Sequence, residues 1–187
     1  MMEKQDLTRL NFRLDTRTRP LLPDTVGVTL SSCGQYRYRL WRIWNNDKPY
    51  ILFIGLFPSA GDDTTDDPAV IACQRLALAA GYGGFHLVSL FAWRSFDRHG
   101  AGSGSDPVGK DNDAIIADAA LRAGLVVCAW GGDPRLAGRD KEVMDFLRDD
   151  DIDLFAIAVE QDGTTADLFR PQAGVLQPVP LSVRKSG

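Results

Sequence analysis

Residues 50–56 read Tyr-Ile-Leu-Phe-Ile-Gly-Leu, a short apolar run with no polar alternation. A strand of this composition has to be covered on both faces, as in the centre of a parallel or mixed sheet. The loop Phe57–Asp66 follows, and Asp67-Pro68 then marks a helix start. Asp serves as the cap, and Pro fits the first helical position, where its missing N–H leaves nothing unpaired. Ala69, Cys73, Leu76 and Ala80 recur at helical spacing, and Gly81 ends the helix. The alternation then repeats. Phe85–Phe91 reads as a strand and Asp111–Ala123 as a helix closed by Gly124. Leu125–Trp130 reads as a buried strand ending at Gly131-Gly132, Arg139–Arg148 as a helix and Leu154–Val159 as a strand. Upstream, Thr25–Leu30 and Gln35–Trp44 are rich in β-branched and aromatic residues and flank a turn at Ser31–Gly34, which predicts an antiparallel pair.

Strands alternating with helices imply βαβ units with right-handed crossovers. The expected fold is α/β: a three-layer α/β/α sandwich with a mostly parallel central sheet plus an N-terminal antiparallel hairpin. Residues 1–24 hold Pro20 and Pro23 and lack sustained periodicity, so they read as an N-terminal arm, with residues 25–187 as a single α/β domain. The tail carries Pro171, Pro178 and Pro180 and reads as extended.

The bulk composition excludes several classes. The chain has 187 residues, 44% hydrophobic and 25% charged, an ordinary globular balance. No apolar run approaches the roughly 20 residues of a membrane helix, and the N-terminus has no apolar leader core, so a cytoplasmic, non-membrane protein is expected. Three cysteines, Cys33, Cys73 and Cys128, with no C-x-x-C spacing, argue against a disulfide framework or a zinc site. No cofactor and no metal are expected. The net charge is −4, but residues 1–50 carry nine Lys and Arg against five Asp and Glu, and the remainder is acidic. An acidic body disfavours nonspecific DNA binding, which needs clustered cations.

In sheets of this kind ligands meet the carboxyl ends of the strands. Three such ends emerge: Phe57–Asp63, Ala92–Asp97 and Trp130–Asp133. The first holds Pro58, Ser59, Gly61, Asp62 and Asp63. Ser59 offers a hydroxyl, and Asp62 or Asp63 is placed to orient a water or act as a general base; the plain alternative is a solvated acidic loop. At the second, Arg94 either pairs with a phosphate or carboxylate or bonds loop carbonyls, Asp97 or Asp106. At the third, Trp130 either stacks on a ring-shaped ligand or belongs to the core, and Gly131 permits close backbone approach. The candidate catalytic residues are therefore Asp62, Ser59 and Asp63. The candidate ligand-binding residues are Phe57, Pro58, Arg94, Trp130 and Gly131. Phosphate-loop, dinucleotide and nucleophile-elbow motifs are absent from the sequence. His86 lies in an apolar strand and reads as a core histidine; His99 sits in a Gly- and Ser-rich loop.

The ordered segments GLFPSAGDD, DDPAVIAC, GYGGFHLVSLFAWRS, DPVGKDND and VVCAWGG together resemble the bacterial and phage family catalogued as domain of unknown function 1643. The resemblance covers about residues 35–132 and more faintly runs to about 180. Pro58, Ser59, Asp62, Asp67, Pro68, Arg94, Asp106, Gly109, Asn112, Asp113, Trp130 and Gly131 stand at family motif positions. Phe57 and Ser89 replace asparagines of the family pattern, and its C-terminal His-containing segment has no counterpart in residues 163–169. Short loops of the family are in turn similar to those of uracil-DNA-glycosylase-like proteins. That likeness implies hydrolysis of an N-glycosidic bond, with Asp62 or Asp63 orienting water and an aromatic stacking on the base.

Three functions are expected to compete. One is a glycosylase-like, candidate nucleotide-binding domain that acts on a nucleoside, nucleotide or nucleic-acid base. A second is a non-catalytic small-molecule or protein-binding module that has lost catalytic residues of its family. The third is an interaction protein, a homodimer for instance, that pairs through an exposed strand, Gln35–Trp44.

Overall fold

Ile51, Leu52, Phe53 and Ile54 are each at most 2% exposed, in the middle of a seven-stranded sheet. The computed structural model describes residues 12–13, 25–59, 62, 65–94, 106–168, 175–176 and 178–181. In chain order its elements are β1 (Phe12–Arg13), β2 (Thr25–Leu30), β3 (Arg37–Ile43), β4 (Tyr50–Gly55), α1 (Pro68–Ala79), β5 (Gly84–Ser89), α2 (Asn112–Leu121), β6 (Leu125–Cys128), a short 3-10 turn at Pro134–Leu136, α3 (Arg139–Asp149), β7 (Leu154–Ala156), β8 (Val175–Leu176) and β9 (Val179–Pro180). Apart from β1, the arm predicted for residues 1–24 lies outside the described residues, as do Asp63 and His99. No helix among the described residues is long and apolar enough to cross a membrane.

The main sheet runs β2-β3-β5-β4-β6-β7-β9, and β1 pairs separately with β8. The fold is α/β, but the expectation of a mostly parallel sheet is corrected. Among the described residues four strand pairings are antiparallel (β1/β8, β2/β3, β3/β5, β7/β9) and three are parallel (β5/β4, β4/β6, β6/β7). The N-terminal hairpin joins the sheet directly, because β3 lies against β5, and the tail returns along β7. The strand predicted as an exposed pairing edge, Gln35–Trp44, is interior, with β2 on one side of β3 and β5 on the other; β2 is the outer strand.

Alternation along β4 divides the core. Ile51 and Phe53 join a cluster with Val70, Cys73 and Ala77 of α1, while Leu52 and Ile54 join one with Ile116 and Ala119 of α2 and Val143 and Leu147 of α3. Asp67 caps α1 by accepting from the Val70 N–H at 2.9 Å, with Pro68 opening the helix. Gly81, at φ +74°, supplies the left-handed residue just past its end.

The segment Asp106–Asp113 fixes the end of β5. The Asp106 carboxylate accepts from the Val108 and Gly109 N–H groups at 2.9 and 3.2 Å. Gly109 has φ +82°, and a Cβ there would sit 2.7 Å from the Tyr36 ring, so only glycine fits. Asn112 is fully buried, and its Nδ2 donates to the carbonyls of Ser89 and Leu90 at 3.0 and 3.1 Å. Arg139 adds a bond from Nε to the Leu90 carbonyl at 3.2 Å and pairs with Asp113. The motif thus positions the strand end from which a site would be built.

Two stability outcomes test this frame. Asp67→Ala should cost about 1 kcal/mol, the usual loss of an N-cap, read from chemical denaturation. Asn112→Ala should cost more, about 2–4 kcal/mol, because it removes the Asn112 donor from the Ser89 carbonyl, leaves the Leu90 carbonyl with Arg139 alone of its two side-chain donors, and opens a small void.

Candidate functional site

The chain leaves β4 for β5 on one side and later crosses to β6 on the other. The carboxyl ends of β4 and β6 therefore flank a topological switch point, where open α/β sheets take their ligands. Phe57, two residues beyond β4, stands at this point. Its ring stacks on Phe91, beyond β5, with centroids 5.4 Å apart and planes 28° apart. The Arg135 guanidinium, from the turn beyond β6, lies 4.6 Å from the Phe57 centroid. Asp133 holds Arg135 in place by accepting from Nε at 2.9 Å and from Nη2 at 2.6 Å, and it accepts the Arg135 backbone N–H at 2.8 Å. The hydrogen bonds from Arg135 keep the Asp133 carboxyl below the usual carboxylate range. Residues from three strand ends thus meet on one aromatic ring.

The acidic loop after β4 is held from the hairpin side. Arg37, on β3 and 3% exposed, donates to the Ser59 carbonyl at 2.9 Å and to Ser59 Oγ at 3.2 Å. Burial pushes Arg37 down to about 10, partly offset by the charge of Asp67. Arg42, also buried, donates to the Asp62 carbonyl at 2.6 Å and pairs with Asp66 at 2.8 Å. The Asp62 carboxylate accepts the Thr65 N–H at 2.7 Å, and the Asp62 N–H donates back to the Thr65 carbonyl at 3.0 Å. Asp62 thereby closes a short turn. Pro58 is half-buried between Phe57 and this turn in the chain. Arg94 is exposed and donates from Nη1 to the Gly34 carbonyl at 3.2 Å, in the hairpin turn.

The β6 end opens a third neighbourhood. Trp130 is 3% exposed within the cluster that includes Val143 and Leu147, and its backbone bridges Asp167. Gly131 (φ +76°) and Gly132 line a groove of about 480 Å³, faced by Glu160, Asp162, Thr165 and Asp167 from the segment beyond β7. A Cβ on Gly132 would lie 2.9 Å from Thr164 Oγ1, so the backbone itself forms this wall. Thr164 donates to Asp162 from its hydroxyl at 2.7 Å and its N–H at 3.0 Å, which keeps the Asp162 carboxyl below its usual range. The Thr165 hydroxyl is buried with no hydrogen-bond partner. No group of three His, Cys, Asp or Glu side chains among the described residues is arranged to hold a metal ion.

The candidates read from sequence therefore separate. Ser59 and Asp62 face the hairpin arginines, Phe57 marks the switch point, and Gly131 lines the groove, while Arg94 reaches the hairpin turn. Phe91, Arg135 and the 160–167 segment were missed. For Arg135 the signal was Asp133-Pro134, the same cap-and-proline pair that marked the start of α1. His86, in mid-strand, stacks on Tyr50 at 3.9 Å, and burial, then Arg39, push it down to about 4.

No curated protein and no solved structure matched the chain. The profile of the family described as "Protein of unknown function (DUF1643)" matches residues 37–166, well over half the sequence, and the protein belongs to that family.

Proposed function

We propose that this domain binds a nucleobase- or nucleoside-like molecule at the carboxyl ends of β4 and β6 without cleaving it. The observation that carries the reading is the Phe57 ring at the switch point, stacked on Phe91 and overlaid by Arg135. A base offers the ring the same kind of face contact that the guanidinium makes. Base–aromatic stacking and cation–π contacts are of similar size, about 1–3 kcal/mol against about 0.5–2. A base can therefore take the place of the exposed Arg135 side chain over the ring. The Gly131–Gly132 groove is walled by the loop beyond β6 that also carries Arg135, and it has the volume of a small-molecule site. N-glycosidic hydrolysis is the second reading: there Asp62, which also accepts the Thr65 N–H on one oxygen, or Asp63, outside the described residues, would orient the water.

Thermal-shift screening against nucleobases and nucleosides should find a ligand that raises the melting temperature and is recovered unchanged by chromatography. Recovery of free base from a nucleoside would overturn the proposal in favour of hydrolysis. Phe57→Leu, which keeps an apolar side chain but removes the π face, should weaken that ligand about tenfold, or ~1.4 kcal/mol.

The clamp also sets a pH dependence. The folded-state shift of Asp133 is downward, so its carboxylate persists below the ordinary value near 4 and is lost only as pH falls through the depressed one. Ligand affinity measured by titration should stay level from about pH 8 to about pH 5 and change only below roughly pH 4.

A further inference from the structure

Thr25-Val26-Gly27-Val28-Thr29 reads the same in both directions about Gly27. These five residues are the regular part of β2, whose register against β3 shifts only beyond Thr29. Among the described residues β3 is the one strand paired with β2, and Val26 and Leu30 stand 46% and 41% exposed. The strand contains no charge and no proline, the devices that commonly keep sheet edges apart. We propose that β2 is a self-pairing edge: two copies of this protein join antiparallel about a two-fold axis through Gly27, making one continuous sheet.

The register follows from the palindrome. Thr25 faces Thr29 of the second copy, Val26 faces Val28, and Gly27 faces Gly27. Thr–Thr and β-branched pairs in these cross-strand positions are stabilising, and a two-fold axis repeats each of them. Trp41 adds a second contact. It lies opposite Gly27 in the β2/β3 register, and its indole occupies the place of a Gly27 side chain. The ring thus reaches across β2 toward the edge that no other described strand pairs, and in the pair the two indoles approach the axis from either side on one face.

Charge does not oppose this. The nearest cations on β3 have carboxylates beside them within each copy: Arg42 pairs with Asp66 at 2.8 Å, and Arg39 lies 3.6 Å from Asp118, which also pairs with Arg122. An edge of five residues is about 17 Å long and covers less than the roughly 1,200 Å² of stable interfaces. The dimer is accordingly reversible, forming and dissociating with concentration.

Sedimentation velocity of the full chain from about 1 μM to about 1 mM should show a monomer–dimer equilibrium. Val26→Lys with Val28→Lys places lysine against lysine twice across the axis and should raise the dissociation constant at least tenfold or so. Val26→Lys with Val28→Glu places each lysine against a glutamate of the other copy and should restore the dimer. Melting curves followed by circular dichroism confirm that both variants are folded. A second measurement avoids new charges: with Cys33→Ser, mixed Val26→Cys and Val28→Cys chains should cross-link under mild oxidation faster than either chain alone. A wild-type monomer at all concentrations, a dimer untouched by the double lysine, no rescue by the lysine–glutamate variant, or no preference for the mixed disulfide would each overturn the proposal.

Discussion

Four consecutive residues of β4, Ile51–Ile54, have to be kept from water on both faces of the sheet at once. Fully burying such side chains is worth about 1.5–3 kcal/mol each, comparable in sum to the whole net stability of a typical domain. The requirement places strands on both sides of β4 and helices over both of its faces. Parallel neighbours need crossovers, and the crossovers are the helices that supply the cover: α1 on the way to β5, α2 on the way to β6. The switch point at the carboxyl end of β4 is a by-product of that arrangement, because the two crossovers leave in opposite directions.

What the apolar core does not determine is where the strand-end loops go, and buried polar groups do that. Arg37 and Arg42 reach from β3 under the loop after β4; Asn112 and Arg139 reach from two helices to the last carbonyls of β5. Their settings differ. Arg42 and Arg139 meet carboxylates, so their charge is matched on the spot. Arg37 meets oxygens of Ser59, and the charge of Asp67 only partly offsets its burial. The Arg37 guanidinium thus bonds the Ser59 turn within the field of Asp67, the residue that caps α1.

The parts of the fold legible in the sequence were those with local causes. The apolar run of β4, the Asp67-Pro68 cap and the β2/β3 hairpin each depend on neighbours a few residues away. Sheet order was not legible, since periodicity reports which faces are buried but not which strand lies alongside; nothing in Gln35–Trp44 says that β5 will pair with it. The same distance limit applied to the site. Asn112 and Asp113 stood out as motif residues, but their partners Leu90 and Arg139 lie 22 and 26 positions away. Asp62 shows a second limit. An Asp three residues before Thr65 is a local turn former, a reading available from the sequence and outweighed there by the acidity of the loop.

Phe57 stands where these constraints meet. An apolar ring at the switch point could simply close the crevice, but a plug has no need of a charged cover. Arg135 is held over it by a bidentate pair with Asp133, on the loop that also carries the groove glycines. A ligand that displaces the guanidinium from the ring leaves the Asp133 backbone cap in place, because that cap is made to the Arg135 N–H and not to its side chain. In the proposed binding, the loop exchanges its own cation for a ligand while keeping its shape. That separation of backbone and side-chain roles is what a binding surface requires and a core does not.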